Sequence, residues 1–152
     1  MIDYASEYPV LQAAAEAHGV DPWFLCAIRQ HENGGAGRQL GVMDPSAKTF
    51  EQQAAEAANT VAHRLTEYLG NPLVRVATVS GVHRLRYTDE FIQFFAWHQP
   101  DAWAPVGAAN DPGHLNESWP SDVLWLYGHI VLAGRWPAPP PGSTTGTGPG
   151  KA

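Results

Sequence analysis

Residues 18–35 read HGVDPWFLCAIRQHENGG, and the fold of the chain turns on this stretch. Asp21 can accept from the first free N–H groups of a helix, and Pro22 has its φ already set for the first helical position. Phe24, Ala27, Ile28 and His31 then recur at three- and four-residue spacing, which lays an apolar stripe along one face. The run Asn33-Gly34-Gly35 tolerates left-handed backbone and disfavours further helix, so the helix must stop there. Glu32 therefore falls on the last turn, where the negative end of the helix dipole opposes a carboxylate, and at the edge of the stripe, where partial burial is expected. Both features raise a carboxyl pKa, and a carboxyl group that keeps its proton near neutral pH can serve as a general acid for glycoside cleavage. A solvated surface Glu near a helix end is the alternative reading of the same spacing.

Outward from this helix, the chain alternates helical patterns with loops. A first helix is expected from Tyr4 to His18, with Gly19 as its stop. Residues 35–46 form a loop of Gly and small side chains, wide enough to line a cleft. Thr49 and Gln52 make a capping box, followed by an apolar stripe of Phe50, Ala54, Ala57, Val61, Leu65 and Tyr68. Over residues 73–82, Val74, Val76 and Val79 lie near alternating positions, which suits a short strand or a helix. Thr88 caps a short aromatic helix carrying Asp89, Glu90, Phe91, Phe94 and Phe95. Ser118 or Ser121 starts a last helix through Val123, Leu124, Leu126, Tyr127 and Ile130 to Gly134, and Trp23 and Trp125 fit core positions. Residues 137–152, PAPPPGSTTGTGPGKA, hold no large apolar side chain and are expected to be a disordered tail. The expected fold is one mostly α domain over residues 1–136, of an α+β kind if the strand forms.

Composition narrows the partners. With 152 residues and 44% hydrophobic content the chain can bury one ordinary core. A net charge of -6 with no local run of Lys or Arg argues against nucleic acid and anionic membranes. Cys26 is the only cysteine, so the fold has no intrachain disulfide. The opening MIDYASEYPVLQAAAEAHG lacks a basic segment and continuous apolar run, and no stretch is long enough to span a bilayer. The expectation is a soluble product made in a host cytoplasm, without membrane insertion. If its substrate lies outside, a virion, a holin or a secretion apparatus must deliver it.

The segment HGVDPWFLCAIRQHENGG followed by GRQLGVMDP resembles the catalytic-helix region of lytic transglycosylases and goose-type lysozymes. The matching residues are Ala27, Ile28, Glu32, Asn33 and Gly34, then the triplet Gly41, Val42 and Met43. The later stretch WAPVGAANDPGHLNESW, residues 103–119, resembles a segment of phage-associated lysozyme-like domains. With the FIQFFAW helix before it, the similarity spans most of residues 10–130. The resemblance implies a lysozyme-like fold and cleavage of peptidoglycan between N-acetylmuramic acid and N-acetylglucosamine, with Glu32 as acid and no cofactor. It further implies that Gly41, Val42 and Met43 line the groove, that Asn110 bonds an N-acetyl group and that Trp103 faces a pyranose ring. The chain departs from the transglycosylase pattern in carrying Asp44 where Gln is common, and Ala109-Asn110-Asp111 in place of a Tyr-Asn-x-Gly motif. The implied setting is a phage endolysin, or a monomer or virion component that meets peptidoglycan.

A hydrolytic route needs a second carboxylate, and Asp44 and Asp111 are the candidates; each precedes a proline and equally suits an ordinary turn. A transglycosylase needs none, because the substrate's N-acetyl group stabilises the cation and the same Glu takes a proton from the muramic C6 hydroxyl. Other chemistries fare worse. The seven histidines form no His-Glu-x-x-His, so no metal site is expected. Cys26 lies inside a helix and not at its N-terminus, so its thiol is expected to pack and not to attack. Trp97, Trp103 and Trp119 cluster around the Pro/Gly/Asn loop and suit either sugar stacking or a small core. A non-catalytic phage or glycan-binding module and a peptidoglycan amidase or peptidase are the rival classes.

Overall fold

The computed structural model describes residues 1–70, 85–97 and 117–138. Five helices run in order: α1 (Tyr4–His18), α2 (Pro22–Glu32), α3 (Phe50–Gly70), α4 (Asp89–Trp97) and α5 (Trp119–Ala133). Among the described residues every regular element is a helix, so the protein is mostly α. The strand expected over residues 73–82 lies outside the described residues, and so does the expected tail of residues 137–152 except for Pro137 and Ala138, the latter packed against the core.

The helix ends follow from their local chemistry. Gly19 closes α1 at φ 69°, and Val20 N–H returns to the Ala15 carbonyl at 2.9 Å. Asp21 caps α2 by accepting from Trp23 N–H at 3.0 Å, and Asn33 closes it at φ 46°. Thr49 and Gln52 form the reciprocal capping box, with Gln52 N–H on Thr49 Oγ1 at 3.1 Å and Thr49 N–H on Gln52 Oε1 at 3.0 Å. Thr88 Oγ1 accepts from Phe91 N–H at 3.2 Å at the head of α4. Ser118 flanks α5, but its hydroxyl donates to Asp122 at 2.8 Å and caps no backbone N–H.

Helix α2 occupies the centre, packed against α1, α3 and α5, and residues 24–29 are all buried. Leu11 and Ala15 of α1 meet it, and Ala54, Ala57, Ala58 and Val61 of α3 add small side chains to the same core. Phe24 is ringed by aromatics: Tyr87 at 5.3 Å, Tyr127 at 5.5 Å and Phe95 at 5.6 Å between centroids, all near edge-to-face. Each such fully buried apolar side chain contributes about 1.5–3 kcal/mol relative to exposure. A buried polar hub fixes the start of α2. Tyr127 OH donates to Asp21 Oδ2 at 2.5 Å, Asp21 N–H donates to Tyr87 OH at 2.9 Å, and Tyr127 OH accepts from the backbone N–H groups of Arg86 and Tyr87. Because Asp21 meets Tyr127 and Glu32 meets Trp119, α2 and α5 run antiparallel.

One expectation is corrected. Trp125 is not a core residue but 52% exposed, lying against the His129 ring at 4.1 Å. Four consecutive large apolar residues, 123–126, leave the sequence without a phase, and the packed face carries Val123, Tyr127 and Ile130. Trp23 is half-buried, stacked on Tyr8 at 5.3 Å. No helix among the described residues is long and apolar enough to cross a membrane.

Candidate active site around Glu32

Glu32 is the last residue of α2, and its carboxyl group is partly buried where three elements converge. From α5, Trp119 Nε1–H donates to Oε2 at 2.7 Å. Trp119 is 2% exposed, stacked on Phe95 of α4 at 5.8 Å and met edge-on by the His31 ring at 6.1 Å. From the loop after α2, Gly41 lies directly against the other oxygen: a Cβ there would fall 2.5 Å from Oε1 and 2.7 Å from Cδ. Gly41 also has φ 77°, so both the backbone and the close approach require glycine.

Burial dominates the electrostatics and raises the Glu32 pKa above the ordinary carboxylate value, because desolvation penalises the charged form. The Trp119 hydrogen bond and the nearby His31 act in the opposite direction and offset part of that rise. A carboxyl group in this setting can hold a proton at a pH where an exposed Glu has lost it, and it has a donor in place to receive the negative charge left when the proton goes.

The loop that brings Gly41 here is organised by Gln53, which is fully buried on α3. Its Nε2 donates to the carbonyls of Gly37, Val42 and Ala47 at 2.8–2.9 Å, and its Oε1 accepts from Leu40 N–H at 3.2 Å. Reading the α3 stripe as apolar passed over this residue, although its signal was present: Gln53 stands three residues after Phe50 on the face otherwise made of Ala54, Ala57 and Val61. Gly34 is held equally tightly, since any Cβ on it would collide with the Arg38 carbonyl.

The other expected site residues divide. Val42 is 6% exposed, its side chain in the core and its carbonyl taken by Gln53, whereas Met43 is 42% exposed at the loop surface. Asp44 is exposed and turned back on its own loop, accepting from Ser46 N–H at 2.9 Å and Ser46 Oγ at 2.8 Å. The Ser46 backbone bond, then the Ser46 hydroxyl, lower its pKa and hold it ionised. Trp103, Asn110 and Asp111 lie outside the described residues. Trp119, expected either to stack on sugar or to close a core, is buried and bound to Glu32.

Cys26 is buried in α2 and burial pushes its thiol pKa well up, the reverse of what a nucleophile needs. Among the described residues no three His, Cys, Asp or Glu side chains gather closely enough to hold a metal ion. Two open cavities, of about 420 Å³ beside Arg29 and Gln39 and about 380 Å³ beside His18 and Gln52, do not have Glu32 in their walls. No family model, curated protein or solved structure matches this chain.

Proposed function

We propose that this chain is a lysozyme-like domain that cleaves the β-1,4 bond between N-acetylmuramic acid and N-acetylglucosamine in bacterial peptidoglycan, with Glu32 as the general acid. The observation that carries this reading is the Glu32 carboxyl group itself, desolvated at a helix end, bonded on one oxygen by Trp119 and packed on the other against the side-chain-free Gly41. The resemblance of residues 18–45 and 103–119 to lytic transglycosylases and phage lysozyme-like domains gives the substrate class. In this mechanism Glu32 protonates the glycosidic oxygen, and charge on the departing sugar is stabilised as the C–O bond opens. Asp44 is engaged by Ser46 on its own loop; in the route that needs one carboxyl group, the acetamido group of the substrate stabilises the cation and the Glu32 carboxylate then takes the C6 hydroxyl proton. Phage- or holin-type delivery fits such a substrate.

The test is clearing of purified cell walls by the wild type and by Glu32→Gln, which keeps the shape and removes the acid. The variant is expected to lose activity by about 10²- to 10⁴-fold. Retained clearing overturns the role of Glu32, and wild-type binding to peptidoglycan without clearing points to a non-catalytic module. Mass spectrometry of the fragments separates the routes: an anhydro end is lighter by one water than a reducing end, and new free amino groups would mean an amidase or peptidase.

A further inference from the structure

We propose that Trp119 is a positioning residue that assigns the acid proton of Glu32 to Oε1, the oxygen facing Gly41. The consequence for catalysis rests on the reading of Glu32 as the acid, whereas the assignment itself rests on geometry.

An indole N–H donates and has no lone pair with which to accept, so the 2.7 Å contact obliges Glu32 Oε2 to be the acceptor. A protonated carboxyl group has one carbonyl oxygen and one hydroxyl oxygen, and the carbonyl oxygen is the stronger acceptor. Trp119 therefore selects Oε2 as the carbonyl and leaves the proton on Oε1. The indole has little freedom to release this choice, because it is 2% exposed, backed by Phe95 and edged by His31.

On the Oε1 side the backbone of the loop comes close. Gly41 takes a left-handed backbone and places no side chain over Oε1, where a Cβ would sit at 2.5 Å. Its own N–H is used by the Arg38 carbonyl at 3.1 Å, and Gln53 holds the neighbouring Leu40 and Val42 backbone. The acid proton is thus assigned to the oxygen that packs beside the side-chain-free Gly41. On transfer, the Oε1–H bond breaks, the proton passes to the glycosidic oxygen and the electron pair stays on Glu32. The bond from Trp119 then becomes charge-assisted, so it strengthens as the reaction proceeds.

The experiment compares wild type with Trp119→Phe and with a full-length protein carrying benzothienylalanine at position 119, a sulfur isostere that keeps the indole shape and lacks the N–H. Two readouts are taken: the pH profile of glycan release, and the midpoint of the Glu32 side-chain carboxyl titration by ¹³C NMR. Loss of the donor should move the alkaline limb and the carboxyl midpoint upward together by about one pH unit. It should also lower kcat by about tenfold with KM within about twofold. An isostere that melts like wild type and leaves midpoint and kcat unchanged overturns the assignment. A shifted midpoint in a protein whose wild type cleaves no glycan supports the geometry and overturns the proposed function, so the two failures are distinguishable.

Discussion

At Glu32, burial raises the cost of the negative charge while Trp119 and His31 lower it, and burial prevails. The same balance acts on folding. A carboxyl group whose folded pKa is raised contributes its full share of stability below its unfolded pKa, where both states are protonated, and loses it as pH rises through the folded pKa. Glu32→Gln resembles the protonated state at every pH, since the amide oxygen can still accept from Trp119. Thermal melts of the two proteins should therefore nearly coincide at pH below about 4, and the variant should melt increasingly higher than wild type as pH rises from the unfolded carboxyl value to the raised Glu32 value, the gap levelling off beyond it. A gap that narrows with rising pH would mean that the carboxylate is favoured by its surroundings. The alkaline fall in activity should follow the same titration, because the acid works only while protonated. The position of Glu32 was legible in the sequence, since a helix stop and a stripe edge are local. Its indole partner was not, because Trp119 lies 87 residues away and nothing in local periodicity registers that contact.

At the scale of elements, the helices that could be read from sequence are those whose caps carry their own chemistry. Asp21-Pro22 and Thr49-x-x-Gln52 each satisfy orphan N–H groups within one turn, so they act alike in an isolated segment and in the fold. The loop of residues 35–46 was legible only as a loop. Its shape is set by one side chain on another element, Gln53, whose two amide hydrogens are shared among three loop carbonyls and whose oxygen accepts from one loop N–H. Gln53→Leu fills similar volume without these bonds and leaves several backbone groups unpaired, a loss of about 2–4 kcal/mol. The damage should be local to the loop. Amide exchange at residues 37–47 should speed up more than exchange in the middle of α2, and glycan release should fall with Gly41 displaced. Equal acceleration across α2 and the loop would show that Gln53 supports the whole core and not the loop alone. Helix α5 illustrates the opposite limit, where apolar residues on nearly every side let tertiary packing choose the face and leave Trp125 outside.

Across the whole molecule, the site depends on α2 being held at both ends. The Asp21 hub ties its start to α5 and to the segment before α4, while Arg29, one turn before Glu32, ties its end to α1 and to the loop. Arg29 is 3% exposed and pairs with Glu7 through Nε at 2.6 Å and Nη2 at 3.2 Å. Its Nη1 donates to the Gly34 and Gln39 carbonyls, both at 3.2 Å, and the guanidinium lies over the Phe50 ring at 5.8 Å. One side chain thus joins α1, α2, the loop and the start of α3. Removing either member of a buried pair is costly because the other stays desolvated and uncompensated, whereas replacing both is milder. Glu7→Ala should cost about 3–5 kcal/mol, read as a fall in melting temperature, while the Arg29 bonds to Gly34 and Gln39 persist. In the double variant Glu7→Leu/Arg29→Met the stranded charge is gone, so most of that stability should return, yet the loop has lost two bonds and glycan release should remain impaired. The two variants therefore separate stability from loop positioning: the first melts low with activity intact at low temperature, and the second melts near wild type with activity reduced. A double variant with full activity would mean that Gln53 alone holds the loop over Glu32.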